Sequence, residues 1–231
     1  MKKCCIIVAG GNGTRMGNDL PKQFILIEGV PVLMHTILNF YSFDPSIQLI
    51  LVLPANEINT WNELCQRHHF EIPHQILSGG ATRFESVRNG LSLAADSDLI
   101  AVHDGVRPLV SHETLERCFN NAAEMGTAIP VLPANESVRK GNMNASVQVN
   151  RSDYFMVQTP QVFRTSIIQE SYKTPWIPEF TDDASVVEHS GIAVQMVMGN
   201  RENIKITFPE DLRIAELFLG SKNDQITEKI P

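Results

Sequence analysis

The chain has 231 residues, 43% of them hydrophobic and 19% charged, which is enough to bury an ordinary core and too apolar for disorder. Its net charge of −7 argues against a nucleic-acid partner, which a surplus of Lys and Arg normally meets, but leaves room for a local basic pocket. No run of about 18 apolar residues offers a membrane span, and Cys4, Cys5, Cys65 and Cys118 form no CxxC pair, so they read as reduced, mostly buried thiols of a cytoplasmic protein.

The chain begins MKKCCIIVAGG, whose apolar stretch is too short for a signal peptide and runs straight into glycines. Strand-length apolar runs then recur: CCIIV (4–8), LILVL (49–53), HQIL (74–77), LIAVH (99–103), AIPVL (128–132) and VQMVM (194–198). Between them, Ile58, Trp61, Leu64, Cys65 and His68 follow helical steps, as do Phe84, Val87, Leu91 and Ala94. Ser111 suits a helix N-cap with Glu113 in the first turn, and Pro209, Glu210 and Asp211 compose a second helix start. This alternation predicts an α/β fold: a Rossmann-like three-layer sandwich with a mostly parallel, twisted sheet. The stretch from 134 to 158 breaks the rhythm with short alternating segments around a Gly-Asn turn, and is expected to project as a β-hairpin arm. The whole chain, 1–231, reads as one domain with a polar tail from about 221 that is expected to fray.

The segment CCIIVAGGNGTRMG (4–17) places three glycines and an arginine behind the first strand. The loop after that strand is a favoured phosphate site in open α/β sheets, and glycine lets backbone N–H groups approach phosphate oxygens. No register of Gly10, Gly11 or Gly13 supplies GxxxxGK[ST]; the dinucleotide pattern would need a third glycine where Met16 stands, and an acid near Pro31 or Val32. A lone glycine cluster is most simply a turn. Here Arg15, and Lys22 in LPKQF, add two cations to bare backbone donors, which together make a polyphosphate cradle. Asp104 closes the run LIAVH at its carboxyl end; a carboxylate beside a triphosphate requires a cation between them, which points to a Mg²⁺ ligand, with an Asp capping the turn before Gly105 as the simpler alternative. His103 has no neighbour at metal-like spacing and reads as structural.

AGGNGTRMGNDLPKQF resembles the signature loop of nucleotidyltransferases that join a nucleoside triphosphate to a sugar or polyol phosphate, and more narrowly the cytidylyltransferases acting on 2-C-methylerythritol 4-phosphate. SGGATRFESV (78–87), VHDGVRPLV (102–110), VNRSDYFMVQTPQVF (149–163), TDDASVVEHSG (181–191) and NIKITFPEDL (203–212) follow in the same order, covering about residues 4–219. The resemblance implies attack by an acceptor phosphate on the α-phosphorus of CTP with release of pyrophosphate, in non-mevalonate isoprenoid synthesis. It implies that Arg15 and Lys22 stabilise the transition state, that Ala9, Gly10, Gly11 and Gly13 line the triphosphate, and that Asp104 holds Mg²⁺ with Gly105 beside the nucleotide. Gly80, Ala81 and the Ser86 hydroxyl are expected to read the base, with Arg83 supporting their loop. Arg151 and Lys205, the latter in strand-like NIKIT, are expected to grip the acceptor phosphate; Arg107, Ser137, Thr159, Thr181 and Asp182 are weaker candidates on the acceptor side. A hairpin cannot bury both faces alone, so the arm is expected to pack on a second subunit, and the family's homodimers interlock in this way.

Three departures from the family pattern stand out. HDGVRP replaces HDAARP, Glu136-Ser137 replaces a DT pair, and Ala81 stands where relatives often carry an acid. The second touches the acceptor side, so a ribitol-5-phosphate cytidylyltransferase is the near alternative. An NAD-dependent oxidoreductase and a nucleotide-sensing module are the remote ones.

Overall fold

A computed structural model of the chain describes residues 1–10 and 20–227. The first apolar run forms β1 (Lys3–Val8), flanked in parallel by β4 (Gln48–Leu53) and β6 (Leu99–Asp104), with β5 (Gln75–Ser78) parallel beyond β4. Past β6 lies β11 (Gln161–Arg164), antiparallel to it, and then β7 (Thr127–Pro133), antiparallel to β11. Strand β7 also pairs with β10 (Phe155–Val157), antiparallel, and with β12 (Met196–Met198), parallel. The sheet is therefore mostly parallel, as expected. A ribbon of β2 (Leu26–Ile27) and β3 (Val30–Pro31) and a hairpin of β8 (Arg139–Gly141) and β9 (Ser146–Gln148) stand apart from it.

Successive strand side chains point to opposite faces, so a strand buried on both sides must be apolar throughout. Along β1, Cys5 and Ile7 join one core layer and Cys4 and Ile6 the other. The first layer is covered by α1 (Val32–Phe43), α2 (Ile58–Arg67) and α4 (His112–Met125), which bury Ile37, Phe40, Trp61 and Phe119. The second is covered by α3 (Arg83–Leu91), α5 (Thr165–Ser171) and α6 (Asp183–His189), which bury Phe84, Val87, Ile168 and Val187. A third cluster joins Ile27, Val106 and Ile206 to Ala215 of α7 (Pro209–Thr227). Among the described residues no helix is long and apolar enough to cross a membrane.

The expected N-cap is present: the Ser111 hydroxyl accepts from Thr114 N–H at 3.1 Å, and α4 ends on Gly126 at φ 93°. Three details differ from expectation. NIKIT (203–207) is irregular, not a strand; its backbone is tied instead by Ile206 N–H to the Val106 carbonyl at 3.0 Å. The arm range contains the β8–β9 hairpin, turned by Asn142 N–H to the Ala145 carbonyl at 2.8 Å, but its last residues re-enter the main sheet as β10. The stretch read as a polar tail carries α7 on to Thr227.

Candidate active site

The β1 crossover leads to β4 on one side of it, while β6 pairs on the other, so the chain reverses direction across the sheet beside β1; in open α/β sheets the ligand crevice lies outside the carboxyl ends at such a point. A cavity of about 430 Å³ sits there, lined by Ala9 and Gly10 after β1, Gly79 to Thr82 after β5, Asp104 at the end of β6, and by Lys22 and Lys205.

The loop between β5 and α3 is built by its own sequence. Thr82 caps α3 by accepting from Glu85 N–H at 3.1 Å, while the Glu85 carboxylate accepts from Thr82 N–H at 3.1 Å, the reciprocal pattern of a capping box. The Ser86 hydroxyl donates to the Thr82 carbonyl at 2.9 Å and accepts from Gly80 N–H at 3.1 Å, so it shapes the loop from inside. A Cβ at Gly80 would lie 2.3 Å from the Glu85 Cβ, which makes glycine obligatory there. Gly105, one of the departures from the family pattern, is packed as tightly, with a Cβ falling 2.8 Å from that of Ala9.

Asp104 is the buried anionic centre of the wall. Its Oδ2 faces Arg107 Nε at 3.1 Å and Lys205 Nζ at 3.1 Å, and its Oδ1 faces Arg83 Nε at 3.9 Å. Burial alone would raise its pKa, but Arg83, Lys205 and Arg107 outweigh that and hold the carboxyl well below the usual range. Arg107 also donates to the Asn203 carbonyl at 2.8 Å, which fixes the loop that carries Lys205 against the Asp104 turn.

Behind Asp104, His103 Nε2 lies 3.0 Å from the Arg107 carbonyl and Nδ1 lies 3.1 Å from the Thr159 hydroxyl, whose oxygen accepts from Asp104 N–H at 3.1 Å. A carbonyl only accepts, so Nε2 carries the proton and Nδ1 accepts from Thr159. Burial pushes the His103 pKa down to about 4, so the ring is neutral. The same physics keeps the thiols protonated, with Cys4 and Cys118 pushed up to about 12 and Cys65 to about 11 by burial.

The cavity thus gathers Ala9, Gly10, Lys22, Gly80, Ala81, Ser86, Asp104 and Lys205, with Gly105 and Arg107 next to it. Gly11, Gly13 and Arg15 lie outside the described residues. Thr159 stands behind Asp104 rather than in the cavity lining. Ser137, Arg151 and Thr181 are exposed and do not line the cavity; Arg151 donates instead to the Asn135 carbonyl at 2.8 Å. Sequence reasoning missed Asp183, whose buried carboxylate holds Arg83 through bonds of 2.9 and 2.6 Å. The only signal was the doubled aspartate in TDDAS: Asp182 caps α6, accepting from Ser185 N–H at 2.9 Å, which leaves Asp183 for another task.

Comparison with known proteins fits this geometry. A profile of the family described as IspD, 2-C-methyl-D-erythritol 4-phosphate cytidylyltransferase, matches residues 3–221. Enzymes of that name from Bacteroides fragilis and Porphyromonas gingivalis are 50% and 49% identical to the chain, each match covering 95% of this chain and 100% or 99% of the relative. Among solved structures, the 2-C-methyl-D-erythritol 4-phosphate cytidylyltransferase of Thermus thermophilus is similar with a TM-score of 0.75 at 30% identity, over 94% of this chain and 98% of that one. The 4-diphosphocytidyl-2C-methyl-D-erythritol synthase of Anaerococcus prevotii reaches a TM-score of 0.80 at 26% identity, over 95% and 96%. The chain belongs to the 2-C-methyl-D-erythritol 4-phosphate cytidylyltransferase family.

Proposed function

We propose that this chain transfers a cytidylyl group from CTP to 2-C-methyl-D-erythritol 4-phosphate and releases pyrophosphate, the activity that its relatives' names state for them. The observation that carries the reading is the cavity wall itself, one ionised carboxylate ringed by Arg83, Arg107 and Lys205, with Lys22 and the glycine backbones of Gly10 and Gly80 alongside. Charge accumulates on the α-phosphate and the leaving pyrophosphate, so fixed positive charge and in-line placement supply the catalysis. Lys22, with Arg15 from the glycine loop, stabilises that charge. The acceptor phosphate is already ionised at neutral pH, so no general base is required. The neutral, fully hydrogen-bonded His103 accords with that.

The backbone of Gly80 and Ala81 reads the base on a loop braced by Ser86, and Lys205 grips the acceptor phosphate. Among the described residues no three His, Cys, Asp or Glu side chains come together. One ionised carboxylate facing a triphosphate cavity is nevertheless the donor set Mg²⁺ favours, since that ion keeps waters and takes substrate phosphates as ligands. Asp104 would hold it, and when bound it withdraws charge from the phosphates.

Arg151 and Ser137 serve the cavity of a second copy, in a homodimer joined through the arm. Support comes from the arm's exposed apolar side chains, Val147, Tyr154, Phe155, Met156 and Val157, and from Arg151 lining a separate depression rather than its own chain's cavity. The enzyme works in the cytoplasm as one nucleotidyltransferase domain. Incubating it with CTP, Mg²⁺ and either 2-C-methylerythritol 4-phosphate or ribitol 5-phosphate tests the proposal. Pyrophosphate release with the first acceptor is expected; turnover only with ribitol 5-phosphate overturns the acceptor, and no release with either overturns the reaction.

A further inference from the structure

Three charges run in a line from the core to the cavity: Asp183, Arg83 and Asp104. Asp183 has no exposed surface. Its Oδ1 accepts from Arg83 at 2.9 Å and from the Tyr172 hydroxyl at 2.6 Å, and its Oδ2 accepts from Arg83 at 2.6 Å. The carboxylate is held in place from both sides. Gln161 of β11 accepts from Ala184 N–H at 2.8 Å and donates to Asp182 at 2.7 Å, which anchors the start of α6 to the sheet. Tyr172 stacks on Phe84 with ring centroids 4.6 Å apart, which ties the same carboxylate to the start of α3.

This is a poor device for stability alone. A buried ion pair is often matched or exceeded by an apolar pair of equal volume, and a cation in the first turn of a helix opposes the helix dipole. Its geometric effect is more specific. Both terminal nitrogens of Arg83 are committed to Asp183, so Arg83 presents only Nε to Asp104, at a distance too long for a hydrogen bond. Arg107 and Lys205 both crowd Oδ2, while among the described residues Oδ1 has only that distant Nε facing it. A guanidinium released from Asp183 needs to move only about 1 Å to close a charge-assisted bond on Oδ1.

We propose that Asp183 is a positioning residue that restrains Arg83, keeping the guanidinium off Asp104 so that Oδ1 stays available to the divalent cation accompanying the triphosphate. The proposal rests on the reading of the cavity as a Mg²⁺–CTP site. The Arg83–Asp183 pair carries no net charge as a unit, although its guanidinium still faces Asp104.

The test is equilibrium binding of Mn²⁺, followed by electron paramagnetic resonance, with the α,β-methylene analogue of CTP present, alongside thermal melting. Asp183→Asn is expected to weaken Mn²⁺ binding about 10-fold, while binding of the analogue without divalent cation is unchanged. Asp183→Glu, which keeps the charge, is expected to bind Mn²⁺ as the wild type does. Adding Arg83→Gln to Asp183→Asn removes the competitor and is expected to return affinity to within about threefold of wild type. A staple that only holds α3 to α6 predicts the opposite, a double variant no better than the single one, and that result overturns the proposal, as does unchanged Mn²⁺ affinity in Asp183→Asn. If Asp183→Asn fails to fold, the double variant, which buries no unpaired charge, decides alone by the same threefold criterion. A wild type that binds no Mn²⁺–analogue complex overturns the cavity reading and this inference with it.

Discussion

In the cavity wall, Asp104 meets Arg107 and Lys205, and Arg83 meets Asp183, all within one chain and mostly out of solvent. On the arm, Arg151 bonds the Asn135 carbonyl and stands exposed, while Tyr154 to Val157 present apolar surface to water. Polar groups satisfied in place are preorganised and need no reorganisation when charge develops. Apolar groups left uncovered are instead the signature of a surface that another body completes. On the function proposed above, one chain carries a finished nucleotide wall and an acceptor side that a second copy completes.

Four measurements break or sharpen that contrast. The largest effect belongs to the finished region: Asp104→Asn is expected to lower turnover about 1,000-fold at saturating CTP, measured as pyrophosphate release, and Lys22→Ala to lower it about 100-fold with far less loss of CTP binding. Equal losses in turnover and binding for Lys22→Ala would contradict its role. Next, replacing residues 136–152 by a short turn is expected to give a monomer by sedimentation, with turnover at least about 100-fold lower but melting within a few degrees of wild type. A trimmed chain that stays dimeric, or one that keeps full turnover, removes the arm from the site.

Smaller but more pointed is complementation. Asp104→Asn and Arg151→Ala chains, each inactive alone, are expected to regain about a quarter of wild-type activity when unfolded and refolded together, because half the dimers are mixed and each mixed dimer holds one intact site. No recovery would place Arg151 in its own chain's site or outside the reaction.

The smallest effect is on stability. His103 titrates near 4 when folded and near 6.5 when unfolded, so between those values the unfolded chain binds more protons and stability falls as pH falls. From pH 7 to pH 5 its contribution is a loss of about 2 kcal/mol, which urea unfolding of His103→Asn is expected not to show.

What the sequence disclosed follows the range of the interactions involved. Strands β1 and β6 are readable from the five-residue runs CCIIV and LIAVH, and Asp104, next after the second run, was placed at the carboxyl end of β6 by that reading. The Thr82–Glu85 box is likewise local, spanning four residues of one segment. Asp183 was invisible because its partner is 100 positions away in the chain, and no spacing rule links them. NIKIT alternates like a strand but lies where Val106 and Arg107 bind its backbone, so tertiary bonds replaced a sheet neighbour. Strand β11, four residues long, offers too short a pattern to reveal a direction.

The way the arm leaves and rejoins the sheet has its own consequence. Ala134 N–H bonds the Tyr154 carbonyl at 3.0 Å, and Pro133 then pairs with Phe155, so the excursion begins and ends on adjacent rungs of one antiparallel ladder. Two such strands need only a tight turn between them. Everything from Asn135 to Asp153 is thus dispensable to the wiring of the sheet and free to change length at little entropic cost. If the arm serves a second copy as proposed, selection on this segment answers to what it meets outside its own chain, and acceptor preference can shift there while the nucleotide wall stays unaltered.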